Sequence, residues 1–210
     1  MLAALLTFAL AAGLIVLLPG PDTLVVLRNL VRGGRRVAAL TVAGVLCGLS
    51  VWVTAAALGM AALLRASEDA YLALRIVGAV YLVWLGVQTL RARSTLPDLP
   101  APAPAATSAS GPPWSRGFGA GLATDLLNPK VGVFFVTFLP GFVPAGHPVG
   151  STSLVFGTIF VVETAAYFAV LLVLAGRITG WMNDRTVRRW LDRATGTVLI
   201  GFGLRLAVEP

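Results

Sequence analysis

The feature that most constrains the fold is a series of long apolar stretches with very few charged side chains. No charged residue precedes Asp22, and similar stretches recur to the end of the chain. A helix needs about 20 apolar residues to cross a bilayer, and a content of 57% hydrophobic and 12% charged residues is too apolar for one soluble core. The sequence therefore predicts an all-α polytopic membrane protein. Its six predicted transmembrane segments are 2–27, 37–64, 71–90, 114–143, 154–175 and 190–208.

Arginines are concentrated in alternate connections between these segments. The first, third and fifth connections hold Arg28, Arg32, Arg35 and Arg36, then Arg91, Arg93 and Arg116, then Arg177, Arg185, Arg188, Arg189 and Arg193. Excess Lys and Arg marks cytoplasmic loops. We therefore predict a multi-pass protein of the cell membrane with both chain ends outside. This placement also accounts for the net charge of +7 without nucleic-acid binding.

A change of composition divides the chain. Residues 92–113 contain six prolines among mostly Ala, Ser and Thr. Such a composition cannot form a core and is typical of a flexible linker. We expect three units, namely a first three-helix repeat at 1–91, a cytoplasmic linker at 92–113 and a second three-helix repeat at 114–210.

The two halves share short patterns in the same order. When Gly13 is aligned with Gly121, Pro21 falls on Pro129, and "RIVGAV" at 75–80 matches "RATGTV" at 193–198. Repeats with an odd number of spans face opposite ways in the membrane. The sequence therefore predicts an inverted-topology repeat, which is the architecture of many secondary transporters.

Prolines interrupt the first and fourth segments. Pro19 and Pro21 lie in "LLPGPD", and Pro129 lies in "DLLNPKVG". Proline removes a backbone donor and restricts the residue before it, so we expect broken helices at both places. Irregular backbone at membrane depth survives only where it is buried in protein or lines a water-filled cavity. The alternative for the first segment is that "PGPD" simply ends a shorter span.

These residues resemble the LysE/RhtB-type amino-acid exporters over nearly the whole chain apart from the linker. The resemblance is carried by "PGPDTL" at 19–24, "AGVLCGLS" at 43–50, "GAVYLVWLG" at 78–86 and "LLNPKVGVFFVTFLPGF" at 126–142. It implies a secondary exporter that moves an amino acid or a similar small metabolite outward, driven by an ion gradient. Three positions depart from the family, which often has Asn at Asp125, Asp at Glu163 and Gln at Gly141.

Ionisable groups inside spans are candidates for function because they are costly there. A zwitterionic amino acid needs an anion for its ammonium group, and its carboxylate needs a cation or the free amides of a helix start. The predicted substrate-binding residues are Pro19, Gly20, Pro21, Asp22, Asp125, Asn128, Pro129 and Lys130.

Glu163, near the middle of the fifth segment, is the predicted ion-coupling residue, since burial disfavours its charged form and would let it exchange a proton. The alternative is a structural pair between Glu163 and Lys130. Asp22 has the alternative role of a helix cap. Asp125 has that of a local partner of Lys130.

Other functional classes fit less well. A divalent-cation or other small-solute exporter would need clustered ligands, and a membrane scaffold would not need breaks and charges in both halves. Nucleotide, P-loop and zinc motifs are absent, so we expect neither enzymatic activity nor a cofactor or bound metal. Gly44 and Gly48 have the spacing of a helix-packing pair. The sequence leaves open whether the functional unit is a monomer or a homodimer.

Overall fold

The structure is a computed structural model, and it describes residues 1–91, 113–174 and 185–208. The predicted linker, apart from its last residue, and Arg177 of the predicted fifth connection lie outside the described residues. The described residues are helical or in short connections. The helices are α1 (Leu2–Leu17), α2 (Pro21–Ala66), α3 (Glu68–Arg91), α4 (Pro113–Leu126), α5 (Pro129–Val133), a π-helix (Phe134–Phe138), a 3₁₀-helix (Leu139–Phe142), α6 (Val149–Val173) and α7 (Arg185–Val208).

The chain leaves the helical conformation at both proline motifs. α1 ends at Leu17, Leu18 is extended, and α2 begins at Pro21. In the second half α4 ends at Leu126 and α5 begins at Pro129, after an extended Asn128. Proline suits the first position of a helix because the amide it lacks would have no partner there.

A further interruption falls within the predicted connection between the first two segments, but it is a single non-helical residue, which was not predicted from the sequence. Gly34, inside α2, has φ 73° and ψ −176°, a conformation that is essentially restricted to glycine. It separates the part of α2 that begins at Pro21 from the apolar part that was predicted to start at residue 37. The adjacent glycines in "VRGGRR" were the available signal.

Beyond α5 the chain remains helical but changes its winding. The π-helix and then the 3₁₀-helix carry it to Phe142. The axis of Pro129–Phe142 is bent by 49° from that of Gly117–Leu126. Single-turn π-segments often occur at functional sites.

Glycines let two pairs of helices approach to backbone contact. A Cβ on Gly44 of α2 would collide with the carbonyl of Phe118 in α4, and one on Gly121 of α4 would collide with the carbonyl of Thr41 in α2. Between α3 and α7, a Cβ on Gly86 would lie 2.7 Å from the carbonyl oxygen of Gly196. Small residues at such interfaces are typical of helices that pack inside membranes.

Aromatic side chains form the centre of the core. Phe8 of α1 stacks on Phe156 of α6 at a ring-centroid distance of 4.7 Å, and Phe134 of the π-helix lies 4.8 Å from Phe160. The outer face of α1 instead exposes a line of leucines spaced three or four residues apart. They are Leu2, Leu6, Leu10, Leu14 and Leu17. An apolar face of this length is typical of contact with lipid or with another protein.

By length and hydropathy, two helices in the described ranges could cross a membrane, Pro21–Gly59 and Val149–Val173. The bent pair Gly117–Leu126 and Pro129–Phe142 would add a third span, and Leu2–Leu17 and Ile76–Arg91 are shorter apolar helices. The chain is a helical membrane protein. The predicted arrangement of six spans in two inverted repeats goes beyond this finding.

Candidate functional site

The two helix interruptions meet at one cavity. Its lining includes Leu18, Gly20 and Asp22 from the first interruption, and Asp125 and Lys130 from the second. The cavity has a volume of about 40 Å³, which is room for about three water molecules. Sequence analysis left open whether the two breaks share one cavity, and the structure brings them together.

Lys130 joins the second interruption to the end of α1. Its Nζ donates hydrogen bonds to the carbonyl oxygens of Ile15 at 3.0 Å and Leu18 at 3.1 Å. The last carbonyls of a helix have no partner within the helix, and a cation there also complements the helix dipole. The ammonium group thus satisfies the carboxyl end of α1. The alternative in which Lys130 forms a local pair with Asp125 or with Glu163 is wrong.

Asn128 makes the second link between the interruptions. Its Oδ1 accepts a hydrogen bond from the backbone amide of Lys130 at 3.1 Å and so caps α5. Its Nδ2 donates to Oδ2 of Asp22 at 2.7 Å. The other oxygen of Asp22 is buried and has no partner. Asn128 is therefore the cap of α5. Asp22 binds the side chain of Asn128 in the second half and does not act as a helix cap, which was its alternative role.

Asp125 has a buried carboxylate without partners. The residue is 0% exposed, and neither Oδ1 nor Oδ2 has a hydrogen-bond partner. Its backbone carbonyl accepts a hydrogen bond from the indole Nε1 of Trp52 at 3.4 Å. A Cβ on Gly48 would lie 2.5 Å from Oδ2 of Asp125. Gly48 therefore provides the space for this carboxylate, while Gly44 has the packing role that was predicted for both glycines.

Glu163 lies apart from the cavity lining. It is on α6 and partly buried, and its Oε2 is buried without a hydrogen-bond partner. The Cβ position of Gly13 on α1 is 3.8 Å from that oxygen. The predicted site residues Pro19, Pro21 and Pro129 are chain neighbours of lining residues but are not part of the lining themselves. Glu163 is outside the lining as well and lies beside α1.

Sequence reasoning missed three hydroxyl groups at the cavity. Tyr167 and Thr164 of α6 and Thr23 of α2 line it, and the hydroxyls of Tyr167 and Thr23 lie 3.3 Å apart. The hydroxyl of Thr164 is buried without a partner. The available signal was their spacing, since Thr164 and Tyr167 lie one helical turn apart in an apolar span.

A half-buried lysine, a half-buried and a fully buried carboxylate, and two interrupted helices at one cavity match the motifs that carry the family resemblance. A family model of LysE type translocators matches residues 14–210. The chain belongs to this family. This LysE-type translocator keeps "PGPD" and "NPK" at the two interruptions, where the structure joins them.

Three relatives that align with this translocator over nearly their whole length are named as efflux proteins. The threonine efflux protein of Escherichia coli (strain K12) is 32% identical, with 100% of both chains covered. The leucine efflux protein of Klebsiella pneumoniae subsp. pneumoniae is 30% identical, covering 96% of this chain and 93% of the relative. The homoserine/homoserine lactone efflux protein of Salmonella typhi is 29% identical, covering 95% and 94%. The search of solved structures found no match.

Proposed function

We propose that this LysE-type translocator is a secondary exporter of amino acids or closely related small metabolites. The observation that carries the proposal is the meeting of two interrupted helices, one from each half, at a cavity lined by Asp22, Asp125 and Lys130, of which Asp125 is fully buried. Intramembrane charges and discontinuous helices at a shared cavity are typical of substrate sites in secondary transporters. The names of the three relatives support amino acids as the substrate class.

The site has groups of both signs for a zwitterion. The amides at the starts of α2 and α5 and the ammonium of Lys130 suit the substrate carboxylate, and Asp22 or Asp125 suits its ammonium group. Lys130 is held by carbonyls of α1 in this structure. The ammonium has three donors and only two of them bind these carbonyls, so the third can bind the substrate carboxylate, and the same group then links the substrate to the end of α1.

Alternating access between two inverted three-helix repeats is the proposed transport cycle. The helix contacts support it, because α1 contacts α6 and α4 contacts α2, as such a repeat requires, although the second contact is the more extensive, and α3 and α7 pack on each other. Rocking of one repeat against the other would open the site to either side.

In the proposed orientation both termini lie outside the cell and the linker 92–113 lies in the cytoplasm. The proposed driving force is the proton gradient across the cell membrane. Glu163 remains the proposed ion-coupling residue. Since it lies beside Gly13 of α1, a change of its charge would act on α1 and through that helix on the carbonyls that hold Lys130.

Transport from right-side-out vesicles loaded with a mixed pool of amino acids tests the proposal. The wild type should release at least one class of amino acid faster than vesicles without the protein. Release should fall at least tenfold in Asp22→Asn and Lys130→Ala, with equal amounts of protein in the membrane. His147→Gln, in an exposed loop, is the matched control and should transport normally.

Glu163→Gln separates transport from coupling in the same vesicles. It should retain release down a substrate gradient and lose the acceleration by an imposed proton gradient. Unchanged dependence on the proton gradient would show that Glu163 is not the coupling residue. Absence of any amino-acid release by the wild type would overturn the proposed substrate class and would direct the assay to divalent cations.

A further inference from the structure

We infer that Asp125 is a cation site that a proton and the ammonium group of the substrate occupy in turn. The inference rests on the proposed export function and assigns to Asp125 a role beyond simple substrate contact. It starts from the observation that both oxygens of this fully buried carboxylate lack a partner.

The charges at the cavity do not balance. Asp22 and Asp125 line it together with a single lysine, Lys130. Asp22 is attracted by Lys130 and accepts a hydrogen bond from Asn128, whereas Asp125 is repelled by Asp22. Lys130 has its own hydrogen bonds to α1. An isolated buried carboxylate is strongly unfavourable unless it gains a positive charge, so the site needs one more cation at Asp125.

Among the described residues, the surroundings of Asp125 contain no other group that supplies this positive charge. Facing it on α2 are Gly48 and the charged Asp22, and the titratable group that α6 contributes to the lining is the hydroxyl of Tyr167. α5 contributes Lys130, and the lining residues from α1 are apolar apart from their backbone. Glu163 lies outside the lining. The cation must therefore come from outside the described part of the protein.

The transport cycle offers two cations for Asp125, a proton and the ammonium group of the substrate. When the site opens to the cytoplasm, the substrate ammonium can take the same place and the proton leaves to the cytoplasm. When the site opens outward, the ammonium leaves and Asp125 takes up a proton from outside. Each cycle exports one ammonium group and returns one proton, so exchange at Asp125 couples the two movements; this is an alternative to coupling through Glu163, and the variants below distinguish the two.

Binding measurements on the purified full-length protein in lipid nanodiscs test the exchange. The probes are radiolabelled L-threonine, L-leucine and L-homoserine. For a probe that binds the wild type, the apparent Kd should rise by up to about tenfold for each unit by which the pH falls, because a proton competes for one site. Asp125→Asn should bind at least tenfold more weakly at high pH and should lose the pH dependence.

Two further variants test the space around the Asp125 carboxylate without changing any charge. Gly48→Ala places a methyl group against Oδ2 and should weaken binding while keeping both carboxylates. Gly59→Ala, elsewhere on α2 with no atom within 4 Å of its added Cβ, is the matched control and should bind like the wild type. Sodium chloride exchanged for choline chloride at constant pH distinguishes a proton from a sodium ion. An effect of sodium in the wild type that is absent in Asp125→Asn would overturn the assignment of a proton.

Infrared spectroscopy tests the proton without any substrate. The carbonyl band of a protonated carboxylic acid should be present in the wild type and lost in Asp125→Asn. If the wild type binds none of the three probes, the proposed function fails for those substrates, and this band still decides whether Asp125 holds a proton. The inference is overturned if the band is unaffected by Asp125→Asn. It is equally overturned if the pH dependence of binding persists in Asp125→Asn and disappears in Glu163→Gln.

Discussion

Asn128 performs two tasks with one side chain. Its carbonyl oxygen caps α5, and its amide nitrogen binds Asp22 of the other half. A cap is worth about 1 kcal/mol, and a hydrogen bond to a charged group is worth about 1.5–3 kcal/mol. The two tasks can be separated by substitution because aspartate also caps helices but cannot donate a hydrogen bond when ionised.

Asn128→Asp should therefore lower the free energy of unfolding by about 2 kcal/mol through loss of the donor and repulsion of Asp22. Adding Asp22→Asn should restore most of this loss, because the exchanged pair can form the same hydrogen bond in reverse. Asn128→Ala should lose the cap as well and should not be restored by Asp22→Asn. Thermal unfolding in detergent compares these four variants with the wild type. An exchanged pair no more stable than Asn128→Asp would contradict the hydrogen bond.

The residues at the cavity show where sequence reasoning stops. Prolines and intramembrane charges can be recognised in the sequence, because their cost in a helix or in lipid is a local property. The partners of Lys130 could not be predicted, because they are the backbone carbonyls of Ile15 and Leu18, which any side chain at these two positions would leave unchanged. The position of Glu163 outside the lining depends on the rotation of α6, which sequence spacing alone does not fix.

At the scale of the elements, contact between α2 and α4 depends on positions without side chains. A Cβ on Gly121 would collide with the carbonyl of Thr41, whereas one on Gly119, in the same helix, would have no atom within 4 Å. These two glycines therefore form a matched pair for a test of helix packing.

Gly121→Ala should separate the helices and lower the unfolding temperature together with the yield of folded protein. Gly119→Ala should leave stability unchanged or raise it by about 0.5–1 kcal/mol, because alanine favours the helix over glycine. Thermal unfolding and size-exclusion chromatography in detergent measure both effects. Equal behaviour of the two variants would exclude close backbone packing of α2 on α4.

Gly34 constrains α2 through its backbone. It has positive φ, and an added Cβ would meet no atom within 4 Å, so any cost of substitution comes from conformation alone. Gly34→Ala should destabilise the protein by about 1–3 kcal/mol. Gly59→Ala, in open space with helical backbone, is the control and should not destabilise it. A Gly34→Ala variant that unfolds at the wild-type temperature would show that α2 can straighten.

For the whole molecule, the proposed orientation rests on the distribution of arginines, and a single cysteine makes it testable. Cys47 is the one cysteine of the chain, so a Cys47→Ser background allows one new thiol at a time. Ser108→Cys in the linker should react with a membrane-impermeant maleimide in inside-out vesicles and remain unlabelled in intact cells. A cysteine added before Met1 should show the opposite pattern. Reversed labelling of the pair would invert the proposed direction of the chain.

The hydrogen bonds between the two interruptions also constrain how such a chain can evolve. Asn128 and Lys130 of the second half bind groups of the first, and the predicted repeat aligns them with Gly20 and Asp22 of the first half. A protein assembled from two copies of the first half would have carboxylates facing one another and no ammonium for the end of α1. The two halves have become dependent on each other, so neither is free to be duplicated, exchanged or lost alone.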